Sequence, residues 1–165
     1  MANRETNIVL PEQNIRMACE ADAPFLKACI ANAYSEYVAV LGREPEAMTI
    51  DCVDLAGSGQ VWVLESGMEP VALLVLKCEV GQLRIFSVAV DPRHQHQGHG
   101  RSLMRFAEKE ALRLHYRRIR LCASEHMKSN IHWYQRLGYT EMRRESLLGS
   151  VLVHMEKVAH VHSAG

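Results

Sequence analysis

The 165-residue sequence is defined first by what it lacks. It has no net charge, with 19 Lys+Arg against 19 Asp+Glu. Its one basic cluster, Arg113, Arg117, Arg118 and Arg120, lacks the interleaved aromatics of a nucleic-acid platform, so no nucleic-acid partner is expected. No apolar run can span or insert into a bilayer, and Ile8-Val9-Leu10 is too short to anchor or export the chain, so no membrane association and a cytoplasmic location are expected. There is no C-x-x-C: the five cysteines, Cys19, Cys29, Cys52, Cys78 and Cys122, are odd in number and widely spaced, and are expected to be reduced core residues. His94, His96 and His99 crowd one loop, but no cysteine or carboxylate set accompanies them, so no metal is expected. Neither G-x-G-x-x-G nor G-x-x-x-x-G-K-[ST] occurs, which removes the dinucleotide and P-loop readings. With no repeat or low-complexity tract, residues 1–165 are expected to form a single domain, with 1–14 and 158–165 poorly ordered.

What is present alternates between helical and strand patterns. Ile15–Cys19 predicts a first strand, and Asp22 a cap for a helix through about Val40. Gly42-Arg43-Glu44-Pro45 breaks the pattern, and Glu46–Leu55 predicts a second helix. Val61–Glu65, Val71–Cys78 and Leu83–Val90 read as three adjacent antiparallel strands. A helix from Arg101 to His115 places Leu103, Ala107, Ala111 and Leu114 on one stripe, with Arg105, Lys109 and Arg113 facing solvent. Because a helix intervenes, the next strand, Arg118–Ala123, should lie parallel to Leu83–Val90. A helix over Met127–Leu137 and strands near Tyr139–Glu145 and Ser150–Glu156 complete a mixed sheet.

The densest chemical signal follows Val88-Ala89-Val90-Asp91-Pro92. Gln95-His96-Gln97-Gly98-His99-Gly100 leads straight into the long helix, so backbone N–H groups gather at a helix N-terminus. Glycine at 98 and 100 permits close approach or unusual dihedrals. The loop reads as a phosphate cradle, with an ordinary tight strand-to-helix turn as the alternative.

The Q-x-x-G-x-G of Gln95, Gly98 and Gly100 resembles the acetyl-CoA pyrophosphate loop of the GNAT acyltransferase superfamily. A second segment, Asn130-Ile131-His132-Trp133-Tyr134-Gln135-Arg136-Leu137-Gly138-Tyr139, resembles the GNAT helix that carries a tyrosine and ends at Gly-Phe or Gly-Tyr. The resemblance is strong from about Leu83 to Tyr139. It implies an α/β GNAT fold: a mixed sheet of six to seven strands, about four helices, and two parallel strands splayed at the cofactor cleft. It also implies acetyl-CoA as acyl donor, held by Val88, Val90, Gln95, His96, Gln97, Gly98, His99, Gly100, Arg101, Ser102 and Asn130, with the Val90 N–H polarising the thioester and Tyr134 as the catalytic acid. Tyr34, Tyr37 and Arg43, and with them Met48, are candidates for the acceptor side.

The expected activity is acetyl transfer to a primary amine of a small molecule. A protein α-amine or lysine acceptor, and a non-catalytic acyl-CoA-binding module, are the alternatives; a homodimer is possible in each. A phenol of pKa about 10 is protonated at neutral pH and can donate to a thiolate whose thiol lies near 8.5. The base is less legible. Many family members carry a glutamate on the strand before the loop, whereas Arg84, Phe86 and Val88 occupy one face here, leaving Glu36, Glu65, His132 or a water relay. Deprotonating an ε-amine at pH 7 costs roughly 4.6 kcal/mol and an α-amine about 1.2, so a missing carboxylate favours a low-pKa amine. Charge is also asymmetric: the first 80 residues hold 12 acids and 5 bases, the remainder 7 and 14. The basic half would serve the phosphates, Arg93 and Arg101 foremost, and the acidic half a cationic acceptor. If His96 or His99 faces the pyrophosphate, acetyl-CoA affinity should strengthen as pH falls.

Overall fold

The computed structural model describes residues 13–160. Seven strands form one sheet in the order β1-β2-β3-β4-β5-β7-β6, antiparallel throughout except for the parallel pair β4 and β5. The strands are β1 (Gln13–Met17), β2 (Val61–Ser66), β3 (Glu69–Glu79), β4 (Gln82–Val90), β5 (Arg118–Ser124), β6 (Thr140–Leu147) and β7 (Ser150–Val158). The helices are α1 (Ala23–Leu41), α2 (Cys52–Ala56), α3 (His99–Arg113) and α4 (Lys128–Arg136). No helix among the described residues is long and apolar enough to cross a membrane.

Both faces of the sheet are covered, which is why Val71–Leu76 of β3 is continuously apolar rather than alternating. Leu73 and Val75 pack with Leu26, Cys29 and Ile30 of α1 and with Leu55 of α2. Ala72, Leu74 and Leu76 turn the other way and pack with Leu103, Met104, Ala107 and Ala111 of α3. The stripe read from α3 is therefore its buried face, and Arg105, Lys109 and Arg113 are exposed.

Several local expectations are corrected. The first strand is Gln13–Met17, two residues earlier than the pattern suggested, and Asn14 and Val158 lie inside strands rather than in tails; residues 1–12 and 161–165 lie outside the described residues. Asp22 precedes α1 but its carboxylate makes no cap; it takes the Arg16 guanidinium at 2.8 and 2.9 Å and the Cys19 N–H at 2.8 Å. Its acidity rises accordingly, to a pKa of about 2. The helix expected over Glu46–Leu55 is two pieces, a 3-10 turn at Glu46–Met48 and α2, which begins where the Asp51 carboxylate accepts the Val53 and Asp54 N–H groups. Cys29 alone of the five cysteines is fully buried, its thiol pushed up to about 12 by desolvation, whereas Cys19 and Cys78 are exposed.

Candidate active site

β4 and β5 pair only at Leu83↔Ile119 and Arg84↔Arg120, then part. The Asp91 N–H bonds to the Val71 carbonyl at 2.8 Å, and alternation along the strand turns the N–H and C=O groups of Val88 and Val90 away from β3 toward β5. A cavity opens where the strands diverge, lined by Ile85–Val88 of β4, Leu121–Ser124 of β5, the turn after α1 and the start of β7. Tyr134 of α4 reaches into it. That side chain is 8% exposed, its ring against Trp133 and edge-on to Tyr139. Burial, and after it the neighbouring Tyr34, raise its phenol well above the ordinary range, so the group stays protonated at any physiological pH.

The loop beyond β4 is shaped by three local devices. Asp91 accepts the Arg93 N–H at 2.9 Å and opens a 3-10 turn at Pro92–His94. His96 and Gly98 then adopt positive φ, 62° and 84°, and Gly98 is the N-cap of α3, so N–H groups converge at the helix start. Gln95 donates a long 3.4 Å bond to the Val90 carbonyl. Among the described residues, Arg101, exposed on the first turn of α3, has no ion-pair partner and Asn130 on α4 makes no hydrogen bond; both can turn to a ligand. Arg93 cannot serve as freely, because its guanidinium is held by Asp91 at 2.9 Å.

Two side chains of the first turn of α3 are engaged within the protein. His99 is 3% exposed, with Nδ1 3.2 Å from Gln13 Nε2 and Nε2 3.3 Å from Gln97 Oε1, which fits a neutral ring that accepts from Gln13 and donates to Gln97. Ser102 Oγ is likewise engaged, 3.2 Å from Gln13 Oε1 and 3.1 Å from the Gly98 carbonyl. Together they tie β1 to the loop. Desolvation, then the nearby His94, lowers the His99 pKa, so its imidazole does not supply charge to an anion. Since the native pKa lies below the unfolded value near 6.5, the unfolded chain takes up the proton first and stability falls as pH drops below about 6.5. Melting curves between pH 7.5 and 5 should show this decline, and His99→Gln should flatten it; an unchanged slope would rule out the linkage.

A family profile for the acetyltransferase (GNAT) domain matches residues 57–141, more than half of the chain. The chain belongs to the GNAT acetyltransferase family. A search of curated proteins finds no match. Among solved structures, the ribosomal-protein-S18-alanine N-acetyltransferase from Escherichia coli is 16% identical, covers 93% of this chain and 97% of its own, and superposes with a TM-score of 0.68. YncA from Salmonella typhimurium, a structure with its cofactor acetyl-CoA, is 20% identical over 92% of this chain and 96% of its own, TM-score 0.69. Nourseothricin acetyltransferase is 21% identical over 61% of this chain, TM-score 0.57, and the match spans 65% of that chain. These identities carry the fold: a seven-stranded mixed sheet, four helices and the splayed parallel pair, as the GNAT resemblance implied.

Within this GNAT fold the acceptor-side candidates separate. Tyr34 lines the cavity, its hydroxyl 3.0 Å from Ser87 Oγ, and Arg43 lines it from the turn after α1. Tyr37 does not line it, and Met48 lies in a different groove beside α2. Burial, and then the Glu36 carboxylate, raise the Tyr37 phenol. Neither Glu36, Glu65 nor His132 reaches the cavity: Glu65 is bound by Arg16 at 2.8 Å, and His132 is exposed elsewhere on α4. Among the described residues the cavity wall holds one carboxylate, Glu46, and two guanidiniums, Arg43 and Arg84, so the acidic N-terminal half does not make an acidic acceptor pocket. Glu46 and Ser87 went unread in the sequence. Glu46 lies in the 3-10 turn directly after Pro45 rather than in the expected helix, and Ser87 meets the cavity beside Phe86 and Val88 because residues of both faces of β4 line it at the splay.

Proposed function

We propose that the protein transfers the acetyl group of acetyl-CoA to a primary amine of a small molecule. The observation that carries this reading is the meeting of the outward-turned Val88 backbone and the protonated Tyr134 phenol in one cavity at the β4–β5 splay, with the Val90 backbone turned the same way two residues further along the strand. Backbone N–H and C=O groups of Val88 and Val90 hold the pantetheine arm as a strand would, and the Val90 N–H polarises the thioester carbonyl. The converging N–H groups between Gln95 and Arg101, with the Arg101 side chain, hold the phosphates. The neutral amine attacks the carbonyl carbon, its nitrogen gives up a proton to water, the C–S bond breaks as Tyr134 delivers a proton to the departing sulfur, and the phenolate takes a proton back from water. No carboxylate base is needed beside an amine whose own pKa is low, since an α-amine costs only about 1.2 kcal/mol to deprotonate at pH 7. A small acceptor is supported by the confinement of the cavity between the turn at Leu41–Ala47 and the segment from Leu147 to Leu152. CoA-thiol release with acetyl-CoA should be stimulated by small primary amines and not by peptides. Stimulation by peptides alone would assign a protein acceptor, and tight acetyl-CoA binding without turnover a binding module.

A further inference from the structure

Among the described residues Arg43 is a cation without a counterpart. Gly42, at φ 67°, ends α1, and the chain turns Arg43 into the wall of the acceptor cavity. Arg84, the other arginine of this cavity, is committed to Glu79 at 3.5 Å, and in the adjoining groove Arg120 is held by Glu156 at 2.7 Å and Arg143 by Glu145 at 3.5 Å. Arg43 makes no ion pair or hydrogen bond to any described residue, and its Nε is sealed from solvent with no partner. Glu46, three residues on and in the same wall, does not take it up. A buried donor left unsatisfied is costly, and a planar guanidinium fork is matched in shape and charge by a carboxylate. The wall also disfavours polycations, which would meet two guanidiniums and a single carboxylate.

We propose that the acceptor is an amino acid or close analogue, a small molecule carrying both the reacting amine and a carboxylate, and that Arg43 binds the carboxylate. This deepens the transferase reading of the same cavity and rests on it. The carboxylate docks on the Arg43 fork at the mouth while the amine points inward toward Ser87 and Tyr134. Arg43 contacts the substrate and sets specificity, without taking part in proton transfer or bond breaking.

Two measurements test this. In the first, kcat/KM is compared for each of the twenty amino acids and its decarboxylated amine. The best amino acid should exceed its amine by roughly tenfold to hundredfold, the range of a charge-assisted hydrogen-bonded contact. Arg43→Gln should collapse that ratio through KM, and Arg43→Lys, which keeps the charge and loses the fork, should retain part of it. In the second, N-acetylated amino acids are titrated calorimetrically into CoA-saturated protein. Binding should weaken by a similar factor in Arg43→Gln, with the folded state of each variant checked by its melting temperature. A ratio near one in the wild type, a ratio unchanged by Arg43→Gln, or N-acetylated amino acids that fail to bind or bind both proteins equally, would overturn the proposal. Binding that depends on Arg43, with no turnover of any amine, would uphold the carboxylate site and overturn the transferase reading instead.

Discussion

Replacing Tyr134 with Phe is expected to lower kcat by roughly 10²–10⁴-fold, the range for a general acid, while the acetyl-CoA dissociation constant changes less than about threefold. The substitution is well isolated. Phe keeps the ring that packs at 5.2 Å from Trp133 and 6.1 Å from Tyr139, so only the O–H is lost and the volume is nearly conserved. Because burial holds the phenol protonated, Tyr134 contributes no alkaline limb to the wild-type rate below about pH 10. Tyr139 supplies the control. Its hydroxyl is buried with no hydrogen-bond partner among the described residues, so Tyr139→Phe should leave kcat within a few-fold and raise the melting temperature slightly by removing an unsatisfied group. Steady-state rates and calorimetric affinities decide the matter, and a Tyr134→Phe rate within a few-fold of wild type would reduce Tyr134 to a packing residue.

The second large effect is expected at Gly98, and it is separable from a superficially similar one at Gly100. At Gly98 the backbone sits at φ +84°, and a Cβ would meet nothing within 4 Å. Valine there is opposed by backbone conformation alone, so either the loop stores strain of about 1–3 kcal/mol or it relaxes and withdraws its N–H groups from the anion. Gly98→Val should weaken acetyl-CoA roughly tenfold to hundredfold, with the melting temperature moving by only a few degrees. Gly100 is different, because a Cβ would stand 3.2 and 3.3 Å from the Trp133 ring. The sequence suggested that Gly100 clears space for the anion. The structure assigns that space to Trp133, so Gly100→Val should push α3 from α4 and cost about 1–3 kcal/mol of stability as well as affinity. Unchanged acetyl-CoA affinity in Gly98→Val would refute the phosphate cradle.

The sequence made the frame legible because its signals were redundant. The apolar stripe of α3, the parallel crossover from β4 to β5 and the glycine-bounded α4 each follow from period, chirality and capping, and each is present. Backbone geometry was legible in part: alternation turns Val88 and Val90 toward the splay and Gly98 takes a positive φ, whereas the second positive φ falls at His96 and not at Gly100. Side-chain roles were not. His99 sits in a loop that looks solvent-exposed by composition, yet it is buried because Gln13, 86 positions away, comes to meet it. Arg93 looked available to phosphate until Asp91, two residues earlier, claimed it. The charge asymmetry failed for the same reason. Acids such as Asp22 and Glu65 are spent on Arg16 at the β1 end, and counting residues does not reveal which of them reach the cavity.

The sparse contact between β4 and β5 has an energetic meaning beyond catalysis. Two rungs join a four-stranded half, β1 to β4, to a three-stranded half, β5, β7 and β6, so hydrogen bonding across the middle of the sheet is incomplete in the protein alone. On the proposed reading, an acyl donor lying along Val88 and Val90 would supply peptide-like bonds at that seam and act as a strand contributed from solution. A ligand that binds only the folded form adds stability by mass action, about 2.7 kcal/mol at a hundred times its dissociation constant. For a chain of this size that is a sizeable share of the total, so the lifetime of the enzyme against unfolding and proteolysis rises and falls with the acetyl-CoA supply it consumes.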